Sequence, residues 1–288
     1  MGADALIEVG SVQALWRYPV KGMAGETVPA CEIGVQGIPG DRIWALRDVA
    51  RREIQSCKTR PDLLRCTARL RAGDAGAVEI TMPDGTTVTS DDVGVHSALS
   101  ELVGRESTLE ALRPASDYDF FRRHKRDAHT WLDELAATFE REPGEPLPDL
   151  ALLPPPLVDC VAMPGTFFLV TPLHLVTTAS LAHLKSLLPQ ADWDPRRFRP
   201  NLMIETAPGL AGLVEQSWIG RRLHLGKAVF DCVGATPRCG AVTRAQADFG
   251  ADSALLRTIV READQNVGVY AMSAVVGEVK VGDPVFLD

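Results

Sequence analysis

The feature that most constrains the fold of this chain is a long series of short strand-like segments, each interrupted by glycine, proline or aspartate. Apolar or alternating runs bounded by such turn residues are typical of β-strands. In the first hundred residues these segments are 12–20, 28–35, 41–49, 67–73 and 77–90. Asp84 and Gly85 divide the last segment, which predicts a β-hairpin with its turn at these two residues.

A second group of strand-like segments follows in the C-terminal half. These segments are 165–176, 200–205, 221–226, 228–234 and 277–287. The last of them is predicted to close the chain as a hairpin. Strands outnumber helices and do not alternate with them, which favours barrels over a parallel βαβ sheet. The predicted fold class is mainly β with a few helices (α+β), arranged as two β-rich units.

Four segments have the periodicity of amphipathic helices: 91–104, a segment from about Ala128, 177–189 and 253–263. The expected N-caps are Asp91 or Asp92, Thr177 or Thr178, and Asp252 or Ser253. The apolar residues expected to face the core are Val95, Leu99, Leu102, Val103, Trp131, Leu132, Leu135, Phe139, Leu181, Leu184, Leu187, Leu188, Leu255, Leu256, Ile259 and Val260.

A proline-rich stretch, 143–157, interrupts the middle of the chain. This density of proline excludes a helix or a central strand and is typical of an exposed connector. We therefore predict three parts: an N-terminal barrel at 8–125, a helix and connector at 126–154, and a second β-rich domain at 155–288.

The composition excludes some classes of function. The 288 residues carry a net charge of −8, which argues against nucleic-acid binding, because phosphate neutralisation needs a basic surface. There is no apolar run long enough to span a membrane and no export signal is visible, so we expect a cytoplasmic protein without a membrane partner. The six cysteines are too few for a disulfide scaffold and are expected to be reduced.

Cationic and thiol side chains recur at the ends of the predicted elements. These candidates are Lys21, Arg42, Arg199, Asn201, Arg238 and Cys239. If the fold brings them together, they form a pocket for a phosphate-bearing ligand, since guanidinium groups bind phosphate bidentately. Cys239 would lie at its mouth, where Arg238 would stabilise a thiolate.

The run Thr177, Thr178, Ala179, Ser180 opens a predicted helix, where free backbone N–H groups favour an anion. Each candidate also has a plainer interpretation. A lysine or arginine after a strand is often solvated, this run is a good N-cap by itself, and Cys239 alone is compatible with a structural thiol. Spacing along the sequence does not show that the pieces converge.

Other chemistries have less support. No pair of cysteines has the spacing of a zinc site, and the six histidines form no HExxH motif. There is no GxSxG elbow and no GxxxxGK[ST] loop.

Six segments in order resemble one family, the MOSC proteins, which are relatives of the C-terminal domain of molybdenum cofactor sulfurase. The segments are YPVKGMAGE (18–26), GIPGDRIWALRD (37–48), FRPNLMIE (198–205), EQSWIGRRLHLG (215–226), TPRC (236–239) and GEVKVGDPVFL (277–287). The resemblance runs from about residue 10 to the end. It is to the form that carries an N-terminal β-barrel domain, similar to the mitochondrial amidoxime-reducing component and its bacterial relatives.

This resemblance implies a molybdenum cofactor held between two β-rich units, with no requirement for pyridoxal phosphate. Cys239 matches the cysteine that ligates molybdenum and is the implied catalytic residue. Lys21, Arg42, Arg199, Asn201 and Arg238 match positions that hold the pterin and its phosphate, and Thr177, Thr178 and Ser180 match a stretch that contributes hydroxyl and amide contacts. Gly22 and Pro237 replace serines of the amidoxime reducers, which removes two hydroxyl groups.

The implied activity is reduction of a small molecule with an N-hydroxylated (N–O) or related S–O group. The chain has no cysteine cluster for an iron–sulfur domain after residue 239. Electrons are therefore expected from a separate ferredoxin, flavodoxin or cytochrome b5-like protein. Two alternatives remain: a carrier of cofactor or sulfur that uses Cys239 as a persulfide, and a β-barrel that binds an anionic ligand without metal.

Overall fold

The computed structural model describes residues 6–73, 76–124, 131–149 and 154–288. Within the first half, the strands are β1 (Ile7–Arg17), β2 (Glu26–Val28), β3 (Ala30–Ile33), β4 (Trp44–Asp48), β5 (Glu53–Ile54), β6 (Thr67–Leu70), β7 (Val78–Thr81), β8 (Thr87–Thr89) and β9 (Ser107–Ala111). In the second half they are β10 (Leu173–Thr177), β11 (Leu202–Thr206), β12 (Arg222–Leu225), β13 (Ala228–Pro237), β14 (Asn266–Val275), β15 (Gly277–Lys280) and β16 (Pro284–Leu287).

The α-helices in the described residues are short and few. They are α1 (Val95–Val103), α2 (Tyr118–Phe121), α3 (Trp131–Phe139), α4 (Thr178–Leu187) and α5 (Ala254–Glu262). The predicted class, mainly β with a few helices, is confirmed. No helix in the described ranges is long and apolar enough to cross a bilayer.

Seven strands form a closed barrel in the order β11-β10-β14-β13-β12-β16-β1, and pairing of β1 with β11 closes it. Closure depends on the length of β1, which pairs with β16 along one edge and with β11 along the other. Gly10 lies at an irregularity in this strand with φ of 152°, and a Cβ there would lie 2.0 Å from the carbonyl oxygen of Glu205. Only glycine allows the strands to approach this closely.

The core of this barrel is built from side chains that alternate along the strands. Leu15, Leu175, Leu202, Phe230 and Val285 are among its fully buried members. Burial of each such side chain contributes about 1.5–3 kcal/mol. This inward face is what the alternating sequence runs predicted.

The first 125 residues contribute strands to the C-terminal part of the fold as well as to the N-terminal unit. β1 belongs to the C-terminal barrel, and β3 pairs antiparallel with β15. The rest of the N-terminal part forms two three-stranded sheets, β5-β4-β9 and β6-β7-β8, over a shared apolar core. The division at 8–125, 126–154 and 155–288 stays a prediction, but strand pairing joins the two ends of the chain.

Several local predictions are confirmed. The β7–β8 hairpin turns at Asp84 and Gly85, with the Met82 N–H donating to the Thr86 carbonyl. Thr177 caps α4 by accepting a hydrogen bond from the backbone N–H of Ser180 at 3.1 Å. Of the apolar helix residues expected to face the core, the following are buried: Val95, Leu99, Leu135, Phe139, Leu184, Leu255, Leu256, Ile259 and Val260.

Other local predictions are wrong. Gly94, not an aspartate, precedes α1, and Leu187 of α4 is 41% exposed. The segment 277–287 is not a hairpin, because β15 pairs with β3 while β16 pairs with β12 and β1. The start of the predicted helix near Ala128 and the side chains of Trp131 and Leu132 lie outside the described residues.

Candidate functional site

Lys21 lies just after β1, where the N-terminal part of the chain meets the C-terminal part. Its backbone N–H donates to the carbonyl of Trp44 at 2.8 Å, which fixes the loop. Its ammonium nitrogen donates to the carbonyl oxygen of Phe167, also at 2.8 Å. The side chain therefore points across the junction between the two parts.

The buried ring of Tyr18 brings two predicted arginines together. The guanidinium carbons of Arg42 and Arg199 lie 5.1 and 4.3 Å from the centre of this ring, within the range of cation–π attraction. The Tyr18 hydroxyl donates to the carbonyl of Pro200 at 3.0 Å. Arg42 and Arg199 have φ of 50° and 54°, a conformation that residues other than glycine adopt rarely and that clusters at functional sites.

Arg199 carries an unmet hydrogen-bond donor. Its Nη1 donates to the carbonyl of Met23, but its Nη2 is buried without a hydrogen-bond partner among the described residues. Leaving a buried donor unpaired costs about 1–3 kcal/mol, and more for a charged group. Burial lowers the pKa of Arg199, the Cys57 thiol opposes this, and Arg42 lowers it further. The guanidinium is thus suited to a ligand that brings an acceptor.

The surroundings of Lys21 are positively charged. Its pKa is lowered to about 7, first by burial and then by Lys58 and Arg42, with a smaller contribution from Arg199. We call Lys21, Arg42, Lys58 and Arg199 the cation cluster. Because like charges raise the free energy of the protonated lysine, an anion bound among them would relieve the repulsion.

One buried carboxylate, Asp41, offsets part of this charge. It accepts hydrogen bonds from the backbone N–H of Tyr18 at 2.6 Å and from the Asn201 amide at 3.1 Å, and it pairs with Arg42. The Asn201 amide also donates to the carbonyl of Trp16 at 3.2 Å, and the residue is 1% exposed. Asn201 therefore positions Asp41 and β1, and its amide N–H groups face protein acceptors.

Cys239 lies beyond the end of β13 and begins a short 3₁₀ turn, Gly240–Thr243. Its thiol belongs to a half-buried residue. It lies within electrostatic range of four groups: Cys57, Arg141, Arg238 and Tyr270. Cys57 is also under the influence of Arg199, Lys58 and Lys21. Cys239 and three members of the cation cluster, Lys21, Lys58 and Arg199, thus all lie within electrostatic range of Cys57.

Cys57 is a site residue that sequence reasoning missed. Burial raises the pKa of its thiol, Arg199 opposes that effect, and Cys239 adds to it. Cys57 packs on Gly22, where a Cβ would lie 3.0 Å from the Cys57 nitrogen and 3.6 Å from its Cβ. Gly22 therefore leaves room for Cys57. Only the fold makes this contact visible, because no motif links the two residues.

Arg238 faces the interior of the protein. Its Nε donates to the carbonyl of Val267 at 2.9 Å, its Nη1 to the carbonyl of Phe198 at 3.2 Å, and its Nη2 lies 2.5 Å from His174 Nε2. Burial lowers the pKa of Arg238 to about 10 and, with the Arg238 charge, keeps the pKa of His174 well below its ordinary value. The structure thus places Arg238 as the anchor of the Cys239 loop.

Arg197 fixes the same loop and was also missed. Its Nη1 donates to the carbonyls of Val242 and Arg244 at 3.3 and 3.2 Å, and its Nη2 donates to the carbonyl of Gly250 at 2.9 Å. The residue is 3% exposed. The sequence signal was present in the run of three arginines at 196, 197 and 199, but burial and direction decide their separate roles.

The segment after α3 covers the Cys239 loop. Arg141 Nη2 donates to the carbonyl of Arg238 at 3.2 Å and to the side chain of Gln265 at 2.9 Å. Glu140 forms an ion pair with Arg244, and its carboxylate lies against Gly240, where a Cβ would have no room. This contact limits access to Cys239 from that side.

The N-terminus of α4 is already occupied by a protein carboxylate, which sequence reasoning did not foresee. Glu215 accepts hydrogen bonds from the hydroxyls of Thr177, at 2.8 Å, and Ser180, and from the backbone N–H of Gly268 at 3.0 Å. Thr177, Ser180 and Glu215 are completely buried. Both hydroxyls thus already donate to a protein carboxylate, and their role as cofactor contacts stays a prediction.

Thr178 has an internal partner as well. Its hydroxyl accepts the backbone N–H of Thr206 at 3.0 Å and lies 3.1 Å from the Thr206 hydroxyl. Of the predicted residues, the structure thus brings Lys21, Arg42 and Arg199 together, and Cys57 links them to Cys239. In the described ranges there is no cluster of three or more histidine, cysteine or acidic side chains with the arrangement of a metal site.

Comparison with protein families agrees with the two halves of the fold. The MOSC domain model matches residues 166–286, and the MOSC N-terminal beta barrel domain model matches residues 9–134. No curated protein is similar enough to count as a match.

Solved structures similar to the chain include the YUAD protein from Bacillus subtilis, with 12% identity, a TM-score of 0.44 and 98% of each chain covered. YiiM from Escherichia coli has 18% identity and a TM-score of 0.30, covering 41% of this chain and 54% of that protein. YiiM from Geobacillus stearothermophilus has 12% identity and a TM-score of 0.29, with the same coverage.

Proposed function

The chain belongs to the MOSC family, with both a MOSC domain and a MOSC N-terminal β-barrel domain, and from that premise we propose that it is a molybdenum-cofactor-dependent oxidoreductase. MOSC domains are associated with proteins that bind the molybdenum cofactor. The proposed reaction is reduction of N-hydroxylated or related N–O or S–O compounds. The electrons come from a separate ferredoxin, flavodoxin or cytochrome b5-like protein. The single observation that carries the proposal is the cation cluster, which Cys57 links to Cys239.

The residues at this place fit an anionic cofactor whose metal takes a sulfur ligand. The buried Nη2 of Arg199 has no acceptor among the described residues, and the pKa of Lys21 is lowered to about 7 by burial and nearby cations. Both features favour a phosphate group. Cys239 supplies a thiol, the ligand that the family resemblance implies for molybdenum. Lys21, Arg42, Arg199 and Cys239 are therefore the residues proposed to hold the cofactor.

When bound, the molybdenum cofactor supplies a metal that changes oxidation state. The chain's own contribution is to bind and orient it. Arg197 and Arg238 hold the Cys239 loop by hydrogen bonds to backbone carbonyls. Lys21, with a pKa near neutrality, holds or releases a proton at Nζ. Asn201 donates to Asp41, which pairs with Arg42 and so positions its guanidinium.

The proposal is tested by the molybdenum and pterin content of protein produced in a host that makes the cofactor. We expect the wild type to contain both, and Cys239→Ser to lose most of the metal. Cys31→Ser is a matched control, because Cys31 lies in β3, in the N-terminal part, and is also half-buried. Wild-type protein without molybdenum, or equal content in Cys239→Ser, would contradict the proposal.

A second candidate is a carrier of sulfur or cofactor without turnover. The observation that favours it is a half-buried thiol, Cys239, within electrostatic range of Arg238, Arg141 and Cys57. A persulfide on Cys239 would add about 32 Da, the mass of one sulfur atom, in a mass spectrum. Ligand binding unchanged in Cys239→Ser, with no metal present, would instead support a metal-free anion-binding module. A cytoplasmic location remains part of the proposal and rests on the sequence.

A further inference from the structure

A cleft of about 410 Å³ opens between the two parts of the chain, next to the cation cluster. One wall comes from β1 and the following loop, with Trp16, Tyr18 and Gly25. The opposite wall comes from Arg196 and the loop after Cys239, with Gln246 and Asp248. This volume is within the range of small-molecule sites.

The first wall is flat and aromatic. Trp16, in β1, and Tyr18, just after it, have stacked rings with centres 6.3 Å apart and planes inclined by 16°. Gly25 lets the loop run directly against Tyr18, since a Cβ there would lie 2.7 Å from a carbon of the Tyr18 ring. Trp16 is half-buried and Tyr18 is fully buried, so Trp16 offers the accessible face. Such a face favours a planar aromatic group.

The opposite wall contains an unmet polar group. Gln246 is 8% exposed, and its side-chain nitrogen has no hydrogen-bond partner among the described residues. Its backbone N–H donates to the carbonyl of Phe249 at 2.9 Å. Arg197 holds the loop on both sides of it, at Arg244 and Gly250. A buried amide that is rigidly held and unpaired is suited to a ligand with a polar atom at its edge.

The charged residues of the cleft are already paired within the protein. Arg196 binds Asp194 and Asp248, and Glu26 binds Arg17. Their charges are therefore compensated before a ligand arrives. This arrangement favours an uncharged ligand over the anion that the cation cluster would bind.

We propose that this cleft binds an uncharged, planar aromatic group with a hydrogen-bonding edge, stacked on Trp16 and bonded to the Gln246 amide. Its use as the subsite for the aromatic part of the substrate rests on the proposed function. Tyr18 connects the two places, because one ring lines the cleft and also contacts Arg42 and Arg199. A group in the cleft thus lies one aromatic ring away from the cation cluster.

The probe is benzamidoxime, which is planar, uncharged near neutral pH and carries an N–O group. Its saturated analogue, cyclohexanecarboxamidoxime, and the anion benzoate are the comparison ligands. Binding is measured by calorimetry and tryptophan fluorescence on metal-free and on cofactor-loaded protein. We expect benzamidoxime to bind at least tenfold more tightly than either comparison ligand, and to quench fluorescence.

Four variants locate the binding. Gln246→Leu is expected to weaken benzamidoxime binding five- to tenfold without lowering the unfolding temperature, because it removes a donor that has no partner in the protein. Trp16→Leu is expected to remove most of the binding and quenching, whereas Trp16→Phe retains the binding. Gln13→Leu, an exposed change on the same strand, is the control and leaves the affinity unchanged.

Three results would overturn the cleft: equal binding of the saturated analogue, unchanged affinity in Gln246→Leu, or loss of probe binding when the cofactor is loaded. The last would assign the cleft to the cofactor itself. The two proposals fail separately. If the protein contains no molybdenum but still binds benzamidoxime through Gln246, the proposal for the cleft stands and the proposed oxidoreductase activity is wrong. If the protein reduces benzamidoxime and Gln246→Leu does not change that reduction, only the proposal for the cleft is wrong.

Discussion

The cation cluster and the N-terminus of α4 both have the composition of an anion site, but within the described part of the chain only the first has an unmet hydrogen-bonding group. At α4, the Glu215 carboxylate accepts from Thr177, Ser180 and a backbone N–H, and all three side chains are buried. In the cluster, Arg199 keeps a buried donor without a partner in the described residues. The comparison teaches that an anion site is recognised by its unsatisfied donors, whereas residue types alone do not distinguish it from a filled structural cluster.

The largest expected effect concerns the stability of the filled cluster. Glu215→Leu leaves two buried hydroxyls and a backbone N–H without their acceptor, so we expect a loss of about 3 kcal/mol in the free energy of unfolding. Glu215→Gln keeps the shape and one acceptor oxygen and is expected to lose roughly half as much. Urea unfolding measures both. A Glu215→Leu protein as stable as wild type would show that this cluster is not structural.

The cation cluster is expected to respond in the opposite way. Arg199→Leu removes a buried charge with an unpaired donor, so stability changes by less than about 1 kcal/mol, while pyrophosphate binding weakens about tenfold or more. Calorimetry measures the affinity and urea unfolding the stability. Arg69→Leu, on an exposed pair with Glu79, is the control that leaves binding unchanged. If Arg199→Leu strongly destabilised the protein and left pyrophosphate affinity unchanged, Arg199 would have a structural role like that of Glu215.

The pH dependence sharpens the same contrast. The pKa of Lys21 is lowered from 10.5 to about 7 in the folded protein, so the unfolded chain holds this proton more tightly. Stability therefore rises as the pH increases from about 7 towards 10.5. Anion affinity moves the other way, because Lys21 loses its charge above pH 7.

The matched variant for this prediction is Lys21→Met, which keeps the length of the side chain without its charge. We expect the ratio of wild-type to Lys21→Met pyrophosphate affinity to fall several-fold between pH 6.5 and pH 8.5. The ratio cancels the titration of pyrophosphate itself. A ratio that stays constant over this range would show that Lys21 is not titrating in the site.

The smallest effect separates backbone strain from contact at Gly22. Gly22 and Gly85 have φ of 87° and 86°, but a Cβ at Gly22 meets Cys57, and one at Gly85 meets nothing within 4 Å. Both alanine variants carry the same φ penalty, so any difference between them comes from the contact with Cys57. Gly22→Ala is therefore expected to lose about 1 kcal/mol more stability than Gly85→Ala. Equal losses in urea unfolding would show that Cys57 gives way freely.

Much of the fold was predictable from local sequence patterns. Alternating runs located the barrel strands, and the Asp84–Gly85 pair located a hairpin, because period and turn chemistry are local. The partner of a strand is not local information. The segment 277–287 has the pattern of a hairpin, yet β15 pairs with β3 from the other end of the chain. Burial of the β3–β15 pair against the barrel core decides that outcome.

The site was predictable in part for the same reason. Lys21, Arg42, Arg199 and Cys239 were identified from their positions at the ends of elements and from the family resemblance. The structure brings the first three together, and Cys57 links them to Cys239. The direction of a side chain does not follow from such positions. Arg238 points into the protein although it is adjacent to Cys239, and Cys57 joins the site through a contact that only folding creates.

The most direct test of the account is the molybdenum and pterin content per chain in three proteins made side by side: wild type, Lys21→Met combined with Arg199→Leu, and Ser180→Ala. The account predicts cofactor in the wild type and in Ser180→Ala, and little or none in the double variant. Cofactor retained by the folded double variant but lost from folded Ser180→Ala would contradict it.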